Sequence, residues 1–322
     1  MRWFRAITVA SAAGTLWLTW ELWAVRSVPP MLPAVALPTI ATNVLLLTAL
    51  GMSLVAPRTG VGVFGVVLLY SMAIDQVRIQ PQFVSFTLLL VGTLDSHQSR
   101  LIGRVHLISL WAWAGLNKLL SKDFLTHTGP NLVATLIPAA PSWLHHSGAY
   151  GIALTEVSLA ALAIVPKTRR IAAALALALH AGIVLHLSPL GRNWNQAVWC
   201  WNVTLAVAGF ALIGKWTDGP SQAFRSSHPG IKLLVAVMLI APFGFQFGLV
   251  DAYLSHNLYS SNVPRPSRMQ PTLTLFNVPF PPEHRLFEQE FRLTCNPGDV
   301  LVIEDSRWWF VSRGLARRQL EC

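Results

Sequence analysis

Charged residues are scarce in this chain of 322 residues. They make up 12% of the sequence, against about 25% in an ordinary soluble domain. Acidic residues number only 14, whereas hydrophobic residues reach 53%. This composition excludes a typical soluble enzyme. It predicts a protein whose main solvent is the lipid bilayer.

Several sequence motifs are also missing. The chain has no CxxC or HxxxH spacing, no glycine-rich phosphate loop and no internal repeat. Because metal sites are commonly built from such Cys and His pairs, no metal site is predicted. The formal net charge is +10, but the basic residues stand singly among apolar segments. Without a continuous basic patch, nucleic-acid binding is not expected.

The chain is instead rich in apolar stretches separated by short polar breaks. A membrane-spanning helix needs about 20 mostly apolar residues. We therefore predict a mainly α fold, a polytopic transmembrane helix bundle of about nine spans. The shortest stretch also fits a re-entrant or tilted segment. The stretches are residues 6–25, 32–55, 61–74, 83–94, 105–120, 150–165, 171–187, 197–213 and 233–250.

The basic residues predict how these spans are oriented. The first stretch resembles a signal peptide, but no small-x-small cleavage site follows before Arg26, so we interpret it as an uncleaved span. If the N-terminus is cytoplasmic and all nine stretches cross, eleven Lys and Arg residues lie on the cytoplasmic side and five on the other. This asymmetry follows the positive-inside rule. We expect a multi-pass protein of the bacterial inner membrane with its C-terminal domain outside the cytoplasm.

The character of the chain changes after the last apolar stretch, where prolines and charges become frequent. We predict a membrane domain over residues 1–252, a linker over 253–270 and a small extracytoplasmic β-rich domain over 271–322. Alternating apolar residues in 290–295 and 299–303, with Asn-Pro-Gly between them, predict a hairpin. A third strand is expected around residues 308–311.

Two of the three cysteines, Cys295 and Cys322, fall in this C-terminal domain, and Cys200 lies in a predicted span. An oxidising compartment would allow Cys295 and Cys322 to form a disulfide, which would help so small a domain. Two free thiols are the alternative. Exposed aromatics at 308–310 would form a contact patch for an extracytoplasmic protein partner.

Ionisable residues within apolar stretches point by default to a site lined by protein or water. Asp75 and Arg78 are three residues apart and can neutralise each other, so they fit either a structural ion pair at a helix end or a site. Lys118 either extends toward the membrane interface or, with its pKa lowered by desolvation, acts as a general base. Glu156 has apolar neighbours and needs a hydrogen-bond donor from another helix.

Further polar residues could contact a ligand. His180 and His186 are six residues apart and face different ways, so each is expected to form hydrogen bonds within the bundle rather than share a metal. Amides and aromatics between residues 191 and 202 could bind a polar head group or could form an ordinary interfacial belt. The candidate ligand-binding residues are Asp75, Arg78, Trp113, Asn117, Glu156, His186, Arg192 and Asn195.

The segment 114–119, AGLNKL, followed by Asp123, Phe124 and Gly129, resembles part of vitamin K-dependent gamma-carboxylase and of the related HTTM (horizontally transferred transmembrane) domain family. Residues 186–188 and 195–199 are similar to a later element of that family. The resemblance implies that Lys118 is the catalytic base and that the bundle encloses a pocket for a lipid-like or quinone-like molecule. Gln82 stands where that family has a catalytic histidine, which argues against glutamate carboxylation.

DoxX-like and MauE-like membrane proteins carry a similar AGxxKL helix and are the alternative. That resemblance implies a non-enzymatic scaffold or accessory protein that presents its C-terminal domain to a partner. The membrane part has no cysteine pair for redox chemistry. Paired interrupted spans, which are typical of transporters, are not found. The sequence leaves open whether the protein is an enzyme and which cofactor it uses.

Overall fold

The computed structural model describes residues 1–27, 29–191, 193–217, 219–225, 227–260, 262–266, 278–305, 307 and 316–322. The fold in this part of the chain is mainly helical, as predicted. Its α-helices are α1 (Arg2–Leu18), α2 (Asn43–Val55), α3 (Pro57–Ile74), α4 (Pro81–Gly92), α5 (His97–Leu119), α6 (Gly129–Leu136), α7 (Ser142–Ile164), α8 (Arg169–Leu187), α9 (Trp199–Ala208), α10 (Pro220–Arg225), α11 (Pro229–Ile240) and α12 (His284–Thr294).

In the part of the chain that the structure describes, five helical segments are long and apolar enough to cross a membrane. They are Pro57–Ile74, Ser142–Ile164, Pro166–Leu187, Gln196–Gly214 and Pro229–Phe247, while α2 and α4 are apolar but shorter. In the first three of these segments only 33% of the apolar window is buried within the protein. The remaining apolar surface has to face a non-aqueous solvent. The structure therefore gives five candidate spans rather than the nine predicted.

The second apolar stretch is shorter as a helix than expected. Residues 32–55 were predicted to form one span, but the helix begins only at Asn43. Pro33 and Pro38 interrupt the first half, because proline lacks the backbone N–H that a helix requires. Residues 31–42 consequently form no helix, and α2 is too short to qualify as a full span.

The chain divides into two compact units. The first contains residues 1–109 and 159–239 and a short stretch that ends at Pro279. Within it, α2 packs against α3, α8 against α9, and α1 against both α2 and α9. Helices α4 and α5 cross closely at two glycines, since a Cβ atom at Gly92 would lie 3.1 Å from the Cα atom of Gly103. Arg5 of α1 donates hydrogen bonds to the hydroxyl and carbonyl of Thr93, at the end of α4.

The second unit contains residues 110–158, 240–272 and 280–322. Its C-terminal part has an antiparallel sheet of β1 (Arg265–Pro266), β2 (Val300–Asp305) and β3 (Ala316–Glu321), in the order β1-β2-β3. Leu301 and Ile303 are buried on one face of β2. A small C-terminal sheet was predicted, and β2 covers the second strand of the expected hairpin.

The first strand of that hairpin was predicted wrongly. Residues 290–295 lie mostly in α12, which ends at Thr294. Leu286, Phe287 and Glu290 are buried on one side of this helix, a spacing of one and three residues that fits a helical period rather than a strand. The antiparallel partners of β2 are β1 and β3 instead. The third strand expected around 308–311, with the aromatic patch at 308–310, lies outside the described residues.

Cys295 and Cys322 form a disulfide across 27 positions, with Cα atoms 5.9 Å apart. The bond ties the residue after α12 to the residue after β3.

Replacing both cysteines with serine is expected to reduce the free energy of unfolding of this segment by about 2–4 kcal/mol, because an open chain has more conformational entropy when unfolded. Thermal unfolding under oxidising conditions measures the loss. Replacing Cys200 with serine is the control, and equal effects of the two changes would contradict the prediction.

Candidate functional site

The second unit contains a buried ion pair between α5 and α7. The Lys118 ammonium nitrogen lies 2.9 Å from Oε1 and 2.7 Å from Oε2 of Glu156. Only 5% of Lys118 and 7% of Glu156 are exposed. The same nitrogen donates to the Ala114 carbonyl at 3.4 Å and lies 5.9 Å from the centre of the Phe124 ring. Lys118 is therefore anchored inside the protein and does not extend to the surface.

A glycine on α5 brings the two helices close enough for this pair. A Cβ atom at Gly115 would lie 2.6 Å from the Ala153 carbonyl oxygen and 2.7 Å from a methyl group of Val157. Both distances are shorter than real contacts allow, so only glycine fits here. Small residues allow close backbone approach between membrane helices. Gly115 therefore positions Lys118, three residues later, beside Glu156.

Asn117, which precedes Lys118 in α5, belongs to a cluster of buried polar residues with Gln246 and Ser255. Asn117 donates a hydrogen bond to the Ser255 carbonyl and accepts one from the Gln246 side chain, both at 3.1 Å. Asn117, Gln246 and Ser255 are each at most 1% exposed. The Gln246 Oε1 and Ser255 Oγ atoms are buried without a hydrogen-bond partner among the described residues. Because such groups are costly to bury, this cluster can accept a polar group.

Asp75 and Arg78 belong to a second polar cluster, in the first unit. The Asp75 carboxylate lies 2.5 Å from an Arg26 nitrogen and 3.5 Å from the Arg78 Nε atom. It also accepts hydrogen bonds from the backbone N–H groups of Leu32 and Val77. Both Asp75 and Arg78 are fully buried. The carboxylate thus joins Arg26 and Arg78 to two separate parts of the backbone.

The Arg78 guanidinium has further partners. It donates to the Leu22 carbonyl at 2.8 Å, the Ala24 carbonyl at 2.6 Å and the Thr42 hydroxyl at 3.4 Å. These acceptors lie just after α1 and just before α2. Its donors therefore satisfy two backbone carbonyls in the segment after α1 and one side-chain hydroxyl just before α2. These contacts favour the structural interpretation of the Asp75 and Arg78 pair.

The remaining candidates are divided between the two units. Trp113, in the second unit, has its ring 6.2 Å from the Phe243 ring. In the first unit, His186 is buried near the end of α8, and Asn195 has a left-handed backbone just before α9. His180 forms a hydrogen bond with Asn202 at 2.8 Å, as predicted for a histidine within the bundle. Arg192 lies outside the described residues.

Sequence analysis missed Gln246, Ser255 and Arg26 as partners of the candidate residues. Gln246 had a detectable signal, because it is a polar residue within the apolar stretch 233–250. Ser255 contacts Asn117 through its backbone carbonyl, which no side-chain pattern reveals. No three His, Cys, Asp or Glu side chains are grouped as metal ligands in the described part of the chain.

A charged network also connects the C-terminal part of the second unit to the segment after α11. The Glu283 carboxylate accepts a hydrogen bond from the Ala252 N–H at 2.6 Å and lies 4.0 Å from Arg307. Burial raises the pKa of Glu283 to about 7. Burial also raises the pKa of Asp305, but hydrogen bonds from His284 and Arg307 outweigh it and hold the pKa well below its usual range.

The Glu283 pKa predicts a pH-dependent stability. Its folded pKa of about 7 exceeds the ordinary value of 4.5, so folding favours the protonated carboxyl. The resulting stability is fully present below about pH 4.5 and is lost as the pH rises through 7. Between pH 5 and 8 we expect the free energy of unfolding to fall by on the order of 1–3 kcal/mol relative to Glu283→Gln.

Urea unfolding at a series of pH values measures this difference. Burial lowers the pKa of His256 to about 4, so His256 changes stability in the opposite sense over part of the same range. The comparison with Glu283→Gln removes that contribution because both proteins retain His256. Parallel stability curves for wild type and variant would show that Glu283 is not the titrating group.

Taken with the apolar helices, these buried ionic groups are those of a multi-pass membrane protein. Residues 96–200 match the family model of the methylamine utilisation protein MauE, a membrane family. The match covers about one third of the chain and contains Lys118, Glu156 and Gly115. Neither the comparison with curated proteins nor that with solved structures gives a match.

The match corrects the resemblance drawn from the sequence. The segment 114–119 was interpreted first as an HTTM and gamma-carboxylase element, and that interpretation is wrong. The family model that matches this segment is MauE, the alternative named for the same AGxxKL pattern. A motif of four fixed residues is too short to separate these families. The match over 96–200 makes the distinction because it extends from α5 into α9.

Proposed function

We propose that this protein is a MauE-like accessory protein of the inner membrane, which presents its C-terminal segment to a protein partner outside the cytoplasm. The observation that carries the proposal is the MauE match over residues 96–200. The family is named for methylamine utilisation, and we extend to this chain only a supporting role at the membrane. The disulfide between Cys295 and Cys322 supports an oxidising location for the C-terminal segment.

The proposal includes a topology and a division of the chain. Residues 1–252 form the membrane domain, 253–270 the linker and 271–322 the extracytoplasmic domain. The N-terminus is cytoplasmic and the chain crosses the membrane about nine times, with α1, α2, α4 and α5 adding to the five candidate spans given above. The excess of basic residues on one side supports this orientation. The short helices α2 and α4 cross if the bilayer thins locally around them.

Site-specific photo-crosslinking in living cells tests the accessory role. A photoreactive amino acid replaces Leu293, which is 58% exposed on α12, or Leu177, which is 56% exposed on α8. We expect a discrete protein adduct from position 293 and none from position 177, because the latter faces lipid. If both positions give no protein adduct, or give the same adducts, the partner-presenting role is refuted.

A second candidate function is a binding site for a lipid-like or quinone-like molecule near Lys118. It is favoured by the buried Gln246 Oε1 and Ser255 Oγ atoms, which have no hydrogen-bond partner among the described residues. A ligand oxygen or hydroxyl group could complete their hydrogen bonding. Lys118 would act as a base only after its ammonium proton had passed to Glu156 or to the ligand. An ammonium held by a carboxylate has no lone pair to accept a proton.

Native mass spectrometry of protein in mild detergent, with lipid and quinone extraction, tests this candidate. We expect a bound molecule in wild type that is lost in Lys118→Ala and in Gln246→Leu. The Gln246→Leu variant retains the ion pair between Lys118 and Glu156. Lys122→Ala is the matched control, because this lysine is exposed and lies four residues later, beyond the end of α5. No bound molecule in any form, or equal retention in all forms, would refute the site.

A further inference from the structure

A cavity of about 340 Å³ lies in the first unit, beside the first turn of α3. This volume is at the lower end of the range for pockets that hold small molecules. Helix α3 is one of the candidate spans, so its first turn is expected at the lipid headgroups of one leaflet in either orientation of the chain. The lining includes Arg5 of α1, Arg58 and Thr59 of α3, and Asp95 between α4 and α5.

Arg5 is a buried arginine whose position in this cavity is fixed by Thr93. Only 7% of Arg5 is exposed. Its Nε atom donates to the Thr93 hydroxyl at 3.1 Å, and its Nη2 atom donates to the Thr93 carbonyl at 3.2 Å. The third nitrogen, Nη1, has no hydrogen-bond partner among the described residues. Because a buried guanidinium nitrogen without an acceptor is costly, Nη1 favours an anionic group in the cavity.

The first turn of α3 adds further donors to the same cavity. Gly60 lets α3 begin directly against α2, because a Cβ atom there would lie 2.2 Å from a backbone nitrogen of that helix. Ala56 precedes α3 without a side-chain capping bond, and Pro57 has no N–H. The N–H groups of Arg58 and Thr59 therefore have no acceptor within the helix. Together with the helix dipole and the Arg58 side chain, they attract an anion.

Asp95 gives the cavity a negative charge as well. In the part of the chain that the structure describes, Asp95, Arg5 and Arg58 form no ion pair with one another or with other residues. A purely anionic ligand would be repelled by the Asp95 carboxylate. A ligand that carries both a negative and a positive charge can instead use all three side chains.

We propose that this cavity binds a phosphoethanolamine group, carried by phosphatidylethanolamine or free in solution. Its phosphate accepts hydrogen bonds from Arg5, Arg58 and the first turn of α3, since guanidinium groups bind phosphate oxygens with paired N–H donors. Its primary ammonium donates to the Asp95 carboxylate. The site requires the first turn of α3 to lie at the headgroups but requires no partner for the C-terminal segment, so it can be tested independently of the accessory role.

Native mass spectrometry of the full chain in mild detergent tests the site by titration with phosphatidylethanolamine, phosphatidylcholine, phosphatidylglycerol or free phosphoethanolamine. Phosphatidylcholine has no N–H donor on its quaternary ammonium, and phosphatidylglycerol has no amine. The test variants are Asp95→Asn and Arg58→Ala, because both side chains are exposed. Their matched controls are Glu21→Gln and Arg170→Ala, which are exposed residues outside the lining. Far-ultraviolet circular dichroism and size-exclusion chromatography show that each variant is folded.

Wild type is expected to bind phosphatidylethanolamine more tightly than the other two lipids. Asp95→Asn should bind it roughly threefold more weakly, because the ammonium loses its charged partner. Arg58→Ala should bind it roughly fivefold more weakly, because one basic residue near the phosphate is lost. Both controls should bind as wild type does.

The probes also separate the two sources of the group. Saturable binding of free phosphoethanolamine shows that the group itself is recognised, and binding of the lipid alone shows that its acyl chains contribute. Three results would overturn the proposal: phosphatidylcholine or phosphatidylglycerol bound as tightly as phosphatidylethanolamine, a test variant weakened no more than its control, or no saturable binding of phosphoethanolamine in either form.

Discussion

Replacing Glu156 with leucine is expected to reduce the free energy of unfolding by about 3–5 kcal/mol, because it leaves the Lys118 ammonium buried without a counter-charge. The ion pair distances of 2.7 and 2.9 Å make Glu156 the main partner of that ammonium. The Ala114 carbonyl at 3.4 Å cannot replace a carboxylate. Unfolding by denaturant in detergent micelles measures the loss.

A double variant separates a lost charge partner from lost packing. Changing Lys118 to methionine together with Glu156→Leu removes both charges and retains apolar volume between α5 and α7. We expect this double variant to recover most of the stability, because a buried ion pair replaced by apolar residues is often neutral. A double variant as unstable as Glu156→Leu would show that the loss arises from packing rather than from the unpaired charge.

The second large effect is expected at Arg78. Changing Arg78 to leucine should reduce the free energy of unfolding by about 3–5 kcal/mol. The change removes the donor to the Ala24 carbonyl, leaves the Leu22 carbonyl with Arg26 alone, and takes one of two guanidinium groups from the buried Asp75 carboxylate. Lysine at this position should rescue only part of the loss. Its ammonium cannot reproduce the planar arrangement of guanidinium donors.

The matched control for Arg78→Leu is Arg58→Leu. Arg58 is also basic and lies near the start of a helix, but it is exposed. We expect a change within about 0.5 kcal/mol, as for surface substitutions in general. Thermal unfolding in detergent compares the two proteins. If Arg78→Leu is no less stable than Arg58→Leu, the contacts of Arg78 do not stabilise the first unit.

Local composition predicted the helices well, because apolar stretches in this chain are dense and the breaks between them are polar. Two segments differ from the prediction, and each difference has a local cause. Prolines at 33 and 38 shorten the second stretch. In the C-terminal part, the apolar residues of 290–295 alternate as in a strand, but Leu286, Phe287 and Glu290 place the longer segment in a helix.

The candidate site was predictable only in part. An isolated Glu156 in an apolar stretch indicates that a donor is required, and the donor proves to be Lys118. The sequence did not pair them, because 38 positions separate them and only the close crossing at Gly115 brings them together. Likewise, Asp75 and Arg78 were paired from their spacing, whereas Arg26 and the carbonyls of Leu22 and Ala24 come from distant parts of the chain.

The central claim is a multi-pass membrane protein whose C-terminal segment lies outside the cytoplasm. Labelling of single cysteines with a membrane-impermeant maleimide in intact spheroplasts tests it most directly, in a protein whose three native cysteines are replaced by serine. Leu293→Cys is predicted to be labelled in intact spheroplasts, and Arg58→Cys only after lysis. Labelling of Arg58→Cys in intact spheroplasts, with Leu293→Cys protected until lysis, would contradict the account.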